Sequence, residues 1–439
     1  MTEIDTGNTA WLLVSAALVL LMTPGLAFFY GGMVRSKSVL NMLMMNFICL
    51  GIVTVLWTLF GFSMVFGESR WGGLIGWTSD FAGLGNPDAV LNVNSAAGIP
   101  TLVFAMFQLM FAVITPALIT GAIADRTKFW GWAVFVVLWS VFVYFPVANW
   151  VFGTGWILNK LGAEDFAGGT AVHINAGAAA LALCIVLGKR VGWRRDPMKP
   201  HNVPFTLLGA ALLWFGWYGF NAGSELAADG VAALAFTTTT VATATAIIGW
   251  LIVEQIRDGK PTTIGAASGA VAGLVAITPA CGFVSPLGGA AIGLIAGILC
   301  ALAVSLKYKF GYDDSLDVVG VHLTGGIVGT LLIGVFGFDH GSMQIGKGEY
   351  FRGLAYGGDF SLLGKQAVAA LAVMAWSFVI AFIIGTILKK AGAFRLSEED
   401  EITGVDEIEH AESAYAFTTT FGTGTLTGAA ASHAAAERD

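Results

Sequence analysis

Asp165-Phe166-Ala167-Gly168-Gly169-Thr170-Ala171-Val172-His173 and Asp314-Ser315-Leu316-Asp317-Val318-Val319-Gly320-Val321-His322 are the two stretches on which the fold turns. Each runs from an Asp to a His eight residues later, and each is followed four residues on by a Gly, Gly177 or Gly326. Each Asp stands at the start of a long apolar run. Each His therefore lies about six residues inside its run, or roughly 9 Å at 1.5 Å per residue. If the runs enter a bilayer from opposite faces, both histidines fall in the middle third of a hydrocarbon core about 30 Å thick. Matched segments of opposite entry are the signature of two halves related by inverted topology.

The rest of the chain supplies those halves. Hydrophobic types make up 56% and charged types 12% of 439 residues. A soluble chain carries roughly twice that charged share, so soluble classes are excluded. Eleven apolar spans are predicted, near 10–33, 40–65, 101–124, 130–151, 167–188, 203–222, 231–253, 263–279, 286–306, 316–337 and 366–388, each close to the 20 or so residues that cross a bilayer. The first is expected to kink or break at Pro24-Gly25. The histidine runs open the fifth and tenth spans, which enter from opposite sides. The fold class is thus an all-α polytopic membrane protein of eleven helices, a five-plus-five inverted repeat plus one extra C-terminal helix, embedded in membrane lipid. Short alternating segments, as in a barrel, are missing. The 58 glycines suit close helix approach in lipid. Residues 1–9 read as a short extracellular N-terminus, 10–390 as the eleven-helix membrane domain and 391–439 as a cytoplasmic tail.

Loop charges orient the chain. Of 22 basic residues, 17 fall on one set of loops and the tail, among them Arg35, Lys37, Arg126, Lys128, Lys189, Arg190, Arg194, Arg195, Arg257 and Lys389. The other side holds Arg70, Lys160, Lys347, Arg352 and Lys365. The positive-inside rule puts the C-terminus in the cytoplasm and the N-terminus outside a cell (plasma) membrane, as an odd span number also requires. The first nine residues have no Lys or Arg, the wrong start for a signal peptide. The net charge of −7 gives no nucleic-acid signature. Cys49, Cys184, Cys281 and Cys300 show no paired or metal spacing and read as small buried hydrophobes; no metal or cofactor is expected.

His173 and His322 are the only histidines within spans, and an ionisable side chain in a membrane interior is a functional residue by default. Three uses are open. A haem or metal pair is one, although no further ligands accompany it. Hydrolytic chemistry is another, but His-Glu-x-x-His and Gly-x-Ser-x-Gly do not occur, so the chain does not read as an enzyme. The third is a pore lined by imidazoles that pass a proton or hydrogen-bond a small polar substrate, since each ring nitrogen can switch between donor and acceptor. No Asp, Glu, Lys or Arg sits deep in a span, and no Thr-Val-Gly-Tyr-Gly filter occurs, so the interior suits something neutral while it crosses. Asp165 and Asp314 read first as helix N-caps, with a supporting role at the mouth as the alternative, better for Asp165.

At Pro24-Gly25-Leu26-Ala27-Phe28-Phe29-Tyr30-Gly31-Gly32, Asp165-Phe166-Ala167-Gly168-Gly169-Thr170, Gly216-Trp217-Tyr218-Gly219-Phe220-Asn221-Ala222-Gly223-Ser224 and Asp313-Asp314-Ser315-Leu316-Asp317 the sequence resembles the ammonium transporter family (Amt, MEP and Rh proteins), in its bacterial Amt branch. The resemblance covers about residues 10–415. It implies a homotrimer with one pore per subunit, ammonium or ammonia (and methylammonium) as substrate, and His173 and His322 as twin pore histidines. It implies an outer recruitment site of Phe111, Phe152 and Ser224, closed from the side by Trp217, a stacked gate of Phe111 and Phe220, and Gln108 and Asn221 as polar neighbours. Phe152 departs from the family's Trp and loses the better cation–π partner, so a weaker recruitment site is expected. Gly404-Val405-Asp406-Glu407-Ile408-Glu409-His410-Ala411-Glu412-Ser413-Ala414-Tyr415 resembles the family's tail, which contacts a neighbouring subunit; the pore is shut there by a PII-type signalling protein. Ala411 stands where the family has Gly. Residues 416–436 read as disordered from composition. An ammonium sensor is the rival of different class; about 40 low-complexity residues would leave no room for its signalling domain. Whether ammonia crosses alone or with its proton stays open.

Overall fold

The computed structural model describes residues 3–90, 97–338, 351–415, 419–421 and 424–426. Among these, ten helices are long and apolar enough to cross a membrane, and the shorter apolar Thr263–Ile277 brings the bundle to eleven. They are α1 (Thr6–Met33), α2 (Ser36–Phe66), α3 (Thr101–Ala122), α4 (Phe129–Leu161), α5 (Gly169–Leu187), α6 (Val203–Glu225), α7 (Gly230–Asp258), α8 (Thr263–Ile277), α9 (Pro286–Phe310), α10 (Val319–Phe336) and α11 (Phe360–Lys390). Side chains start several of them. Asp5, Asn202, Asp229, Thr262, Ser285 and Asp359 each accept a bond from a first-turn backbone N–H, which satisfies donors that a helix start leaves open.

Of the kink or break expected near Pro24-Gly25, the break does not occur: α1 is helical through Pro24. Pro24 removes one backbone donor, but Gly25 lies against Leu212 and Leu213 of α6, so packing holds the turn helical. α1 and α6, the first helices of the two halves, pack on each other extensively, and α11 lies along α5. The outer faces of the bundle carry exposed apolar side chains such as Val14, Phe47, Leu59, Phe142 and Ile248, the arrangement that hydrocarbon solvent favours.

The histidine-bearing helices cross at the centre, and the paired glycines explain how. A Cβ on Gly177 would lie 2.5 Å from the Leu323 nitrogen, and one on Gly326 would lie 3.1 Å from the His173 Cβ. Each half thus supplies the small residue against which the other half's His turn rests. Both turns, Gly169–Ile174 and Val319–Leu323, are π-helical, a local widening frequent at functional sites.

On the basic face, α12 (Glu398–Thr403) and α13 (Val405–His410) fold back under the bundle. Asp406 accepts from the Leu40 and Asn41 amides, Glu409 from the Phe129 amide, and Tyr415 meets His201 at 2.8 Å. A charge network lies above: Arg190 bonds Asp125 and Asp313, Arg35 bonds Asp125, and Arg395 bonds Glu401. Within 416–439 the backbones of Thr419–Phe421 and Gly424–Leu426 pair antiparallel; the expected disorder of the rest lies outside the described residues.

Candidate functional site

The site is a file of cavities along the axis between the two halves. At the face opposite the tail, a vestibule of about 160 Å³ is lined by Phe104, Gln108, Phe111, Phe152, Asp165 and Ser224, among others. The regular part of α4 ends at Phe152, which leaves that ring at the rim, edge-on to Phe111 at 6.4 Å. Ser224 donates its hydroxyl to the Phe220 carbonyl at 2.8 Å, so toward the cavity its oxygen serves as an acceptor. The vestibule floor is Phe111 stacked on Phe220, with centroids 4.2 Å apart and planes at 29°. Both are buried, so together they form a closed aromatic plug.

Beneath the plug lies a chamber of about 10 Å³ lined by Val172, His173, Trp217, Phe220 and His322. A second of about 10 Å³, lined by Tyr30, Ser268, Asp317 and His322, lies beyond it. Each is at the threshold for one water-sized molecule. His322 lines both chambers and His173 the first, with their Nδ1 atoms 3.2 Å apart and rings inclined by 19°. Beyond the second chamber a cavity of about 540 Å³ opens at the basic face between Arg35, Arg190, Trp193, Arg194 and Lys307. It shares Leu316 and Asp317 with the chamber above.

Asp165 borders the vestibule, but its oxygens are spent on the chain. They accept from the Gly168 and Gly169 amides at 2.8 and 2.7 Å, from the Thr170 amide at 2.7 Å, from the Ala171 amide at 3.2 Å, and from the Thr170 hydroxyl. Burial pushes its carboxyl above the ordinary value, and the bonds from Thr170, Gly168 and Gly169 oppose that rise. The loop needs Gly168, whose φ of +117° suits a residue without a Cβ. Asp165 therefore holds the π turn that presents His173. Asp314 does the same for the other half, accepting from the Val318 and Val319 amides at 3.1 and 2.8 Å.

Phe111, Phe152, Ser224 and Gln108 come together in the vestibule, as expected. Trp217 and Asn221 do not join them. The Trp217 ring lies below the plug, stacked on His173 at 5.5 Å and 15°. Its Nε1–H donates to Thr278 Oγ1 at 2.8 Å; that hydroxyl lies 3.3 Å from Asn221 Oδ1, and Asn221 donates to Thr239 at 2.9 Å. The indole is thus a wall of the first chamber, and Asn221 steadies it. The cause is depth: on α6, Trp217, Phe220 and Ser224 at i, i+3 and i+7 share one stripe, but Ser224 lies about 10 Å along the axis from Trp217, on the mouth side of Phe220. Sequence reading missed Glu164, which lines the vestibule, and Tyr30, whose hydroxyl lies 3.5 Å from His322 Nε2. Glu164 is held by a reciprocal pair of 2.7 Å bonds between its backbone and the Gln366 amide. Glu164 stands beside the quoted Asp165, and Tyr30 lies inside the quoted run 24–32 with no role assigned to it.

The sequence profile described as Ammonium Transporter Family matches residues 10–415. The chain is 58% identical over 433 residues to an ammonium transporter of Mycobacterium tuberculosis (strain ATCC 25618 / H37Rv), covering 94% of this chain and 91% of the relative. It is 47% identical to an ammonium transporter of Bacillus subtilis (strain 168), covering 93% and 98%. Its fold is similar to the crystal structure of Saccharomyces cerevisiae Mep2, with a TM-score of 0.80, 35% identity and coverage of 90% and 91%. It is also similar to a sensor Amt protein, with a TM-score of 0.82, 30% identity and coverage of 92% and 98%.

Proposed function

The chain belongs to the ammonium transporter family, and on that premise we propose that it recruits ammonium at the Phe111–Phe152–Ser224 vestibule and conducts ammonia past His173 and His322. The observation that carries this reading is the pair of imidazoles joined through their Nδ1 atoms between two chambers of about 10 Å³ each, under the Phe111–Phe220 plug. Ring faces attract the cation by about 0.5–2 kcal/mol, and the Ser224 oxygen accepts one of its N–H bonds. Carrying a full charge over the bilayer centre costs at least about 2.5–3.5 kcal/mol. Ammonium sheds that cost by leaving its proton to vestibule water or to His173 Nε2 just beneath the plug, and a molecule of ammonia fits a space sized for one water. K⁺ has the same charge and a similar size but no proton to lose, and is rejected.

The same reading places the basic face in the cytoplasm and the N-terminus outside a plasma membrane, by the loop charges. It makes the molecule a homotrimer with a pore in each subunit. It makes the basic-face cavity the contact for a PII-type signalling protein. Gln108 belongs to the recruitment site, Trp217 and Asn221 to the chamber wall, and Asp165 to the support of His173. The test is uptake of labelled methylammonium into cells or vesicles, competed by ammonium. Wild-type protein takes it up, and His173→Ala abolishes uptake. Full uptake in that variant would sink the pore assignment. Saturable methylammonium binding with no accumulation by the wild type would mark a sensor instead, the reading that the likeness to a sensor Amt protein favours.

A further inference from the structure

Tyr30 is buried where α1 passes the histidine pair, on the side of His322 away from the plug. Its hydroxyl oxygen lies 3.1 Å from the Leu118 carbonyl and 3.5 Å from His322 Nε2. The other nitrogen of that ring, Nδ1, lies 3.2 Å from His173 Nδ1. His173 Nε2 is buried with no hydrogen-bond partner in the structure, on a ring that lines the first chamber. These atoms make one line from the first chamber to the second.

The line has a direction, because a carbonyl oxygen can only accept and a phenol has one proton. The shorter contact, to Leu118, takes that proton. The Tyr30 oxygen is then an acceptor toward His322, which keeps a proton on His322 Nε2 and leaves its Nδ1 bare. The Nδ1 contact then requires the proton on His173 Nδ1, so in uncharged rings His173 Nε2 is a bare lone pair bordering the first chamber. We infer that Tyr30 is a positioning residue, a two-position hydroxyl that sets the tautomer of the histidine pair. Leu118 supports one tautomer, and His322 Nε2 is within reach for the other.

The second position matters when a proton crosses. An N–H of ammonium gives its proton to His173 Nε2. His173 Nδ1–H passes its proton to His322 Nδ1, and His322 Nε2–H releases its proton to ammonia or water in the second chamber. One proton enters, one leaves, and both rings end uncharged with their tautomers reversed. His322 Nε2 is now bare, and the Tyr30 hydroxyl turns from Leu118 to donate to it. In the reversed pair His322 Nε2 thereby keeps a partner, while the shorter Leu118 bond favours the starting tautomer.

This inference rests on the twin-histidine reading of the pore, but its test needs no transport. Full-length protein with ¹⁵N-labelled histidine, in lipid vesicles, is compared with Tyr30→Phe by solid-state NMR of the ring nitrogens. The variant keeps the ring that packs on Gly121 and removes only the hydroxyl. Wild type is expected to show one dominant pattern, with His322 protonated at Nε2 and His173 at Nδ1. Tyr30→Phe is expected to show both tautomers in comparable amounts, with methylammonium uptake lowered about 10-fold. A wild-type spectrum with bare His322 Nε2 overturns the assignment by itself, even if the variant does not fold. Uptake lost with the wild-type nitrogen pattern intact, or uptake unchanged, overturns it as well. Failure of the pore reading is seen separately, as uptake that survives His173→Ala.

Discussion

Ala411 closes α13 with φ +52° and ψ +37°, a left-handed conformation that costs an L-residue roughly 1–2 kcal/mol. The turn carries Glu412 back to the Asp406 carbonyl, beside the contacts that Asp406, Glu409 and His410 make with α2 and α4. A glycine there relieves the strain, less the larger entropy of the unfolded chain. Ala411→Gly should therefore tighten docking of the tail by about 1 kcal/mol, or roughly fivefold in the closing equilibrium. Hydrogen–deuterium exchange over residues 405–415 should slow by about that factor. Unchanged or faster exchange would show that the turn does not limit docking. The sequence flagged this position only because the family's residue differs. The dihedral that gives the difference a sign is a property of the fold.

The helices were the most legible part of the molecule, and the glycines between them the least. Apolar length alone set eleven spans, because backbone groups in hydrocarbon must be satisfied within the segment; the predicted edges fell inside the observed helices where polar ends continue, as at α7 and α11. The Asp-to-His spacing located both histidine turns because each carboxylate caps the turn it precedes. The resemblance gives Trp217 a place at the side of the vestibule, and its ring lines the chamber beneath the plug; a motif match does not report which side of the plug a ring faces. Gly177 and Gly326 were seen as a spacing with no purpose. Their crossing gives one: a methyl group on Gly326 would press on the Gly169 carbonyl at 3.0 Å, on Ile174 and on the His173 Cβ. Overpacking of this kind costs about 1–3 kcal/mol, here delivered onto His173. Gly326→Ala should lose at least 10-fold in methylammonium uptake while still reaching the membrane, and Gly177→Ala should do likewise through Leu323. Wild-type uptake by both variants would mean that the crossing tolerates separation.

At the scale of the whole molecule, charge is confined to the two faces, and each face makes a prediction. On the basic face, burial pushes Asp125 up, but Arg190 and Arg35 overcome this and hold it below the ordinary 3.8; Arg190 and Arg126 do the same for Asp313 against its own burial. Carboxyls held low stabilise the fold above about pH 3.8 and lose that contribution as pH falls through their folded values. Asp165, Asp314 and Asp406, raised by burial, act with the opposite sign, and their effect is complete by pH 3.8. The melting temperature in detergent should therefore drop steeply only below about pH 4, and Arg190→Gln should flatten that drop; an equally steep drop in the variant would place the acid sensitivity elsewhere. Orientation is the second prediction. The four native cysteines are all buried, so membrane-impermeant thiol reagents have little background. Trp71 is 81% exposed on the face opposite the tail, between α2 and α3, and Lys199 is exposed on the basic face between α5 and α6. In intact cells Trp71→Cys should label and Lys199→Cys should not, and the pattern should reverse in inside-out vesicles. The positive-inside rule acts through Lys and Arg of short loops, and the five basic residues of the loop 188–202 include Arg190, which is fixed in the network with Asp125 and Asp313. If that rule holds for this chain, the loop that orients it during insertion also supplies the Arg190 that joins the ends of α3, α5 and α10 once it is folded. Labelling of Lys199→Cys from outside intact cells would break that link and put the Phe111–Phe152–Ser224 vestibule on the cytoplasmic side, where it could not recruit ammonium for uptake.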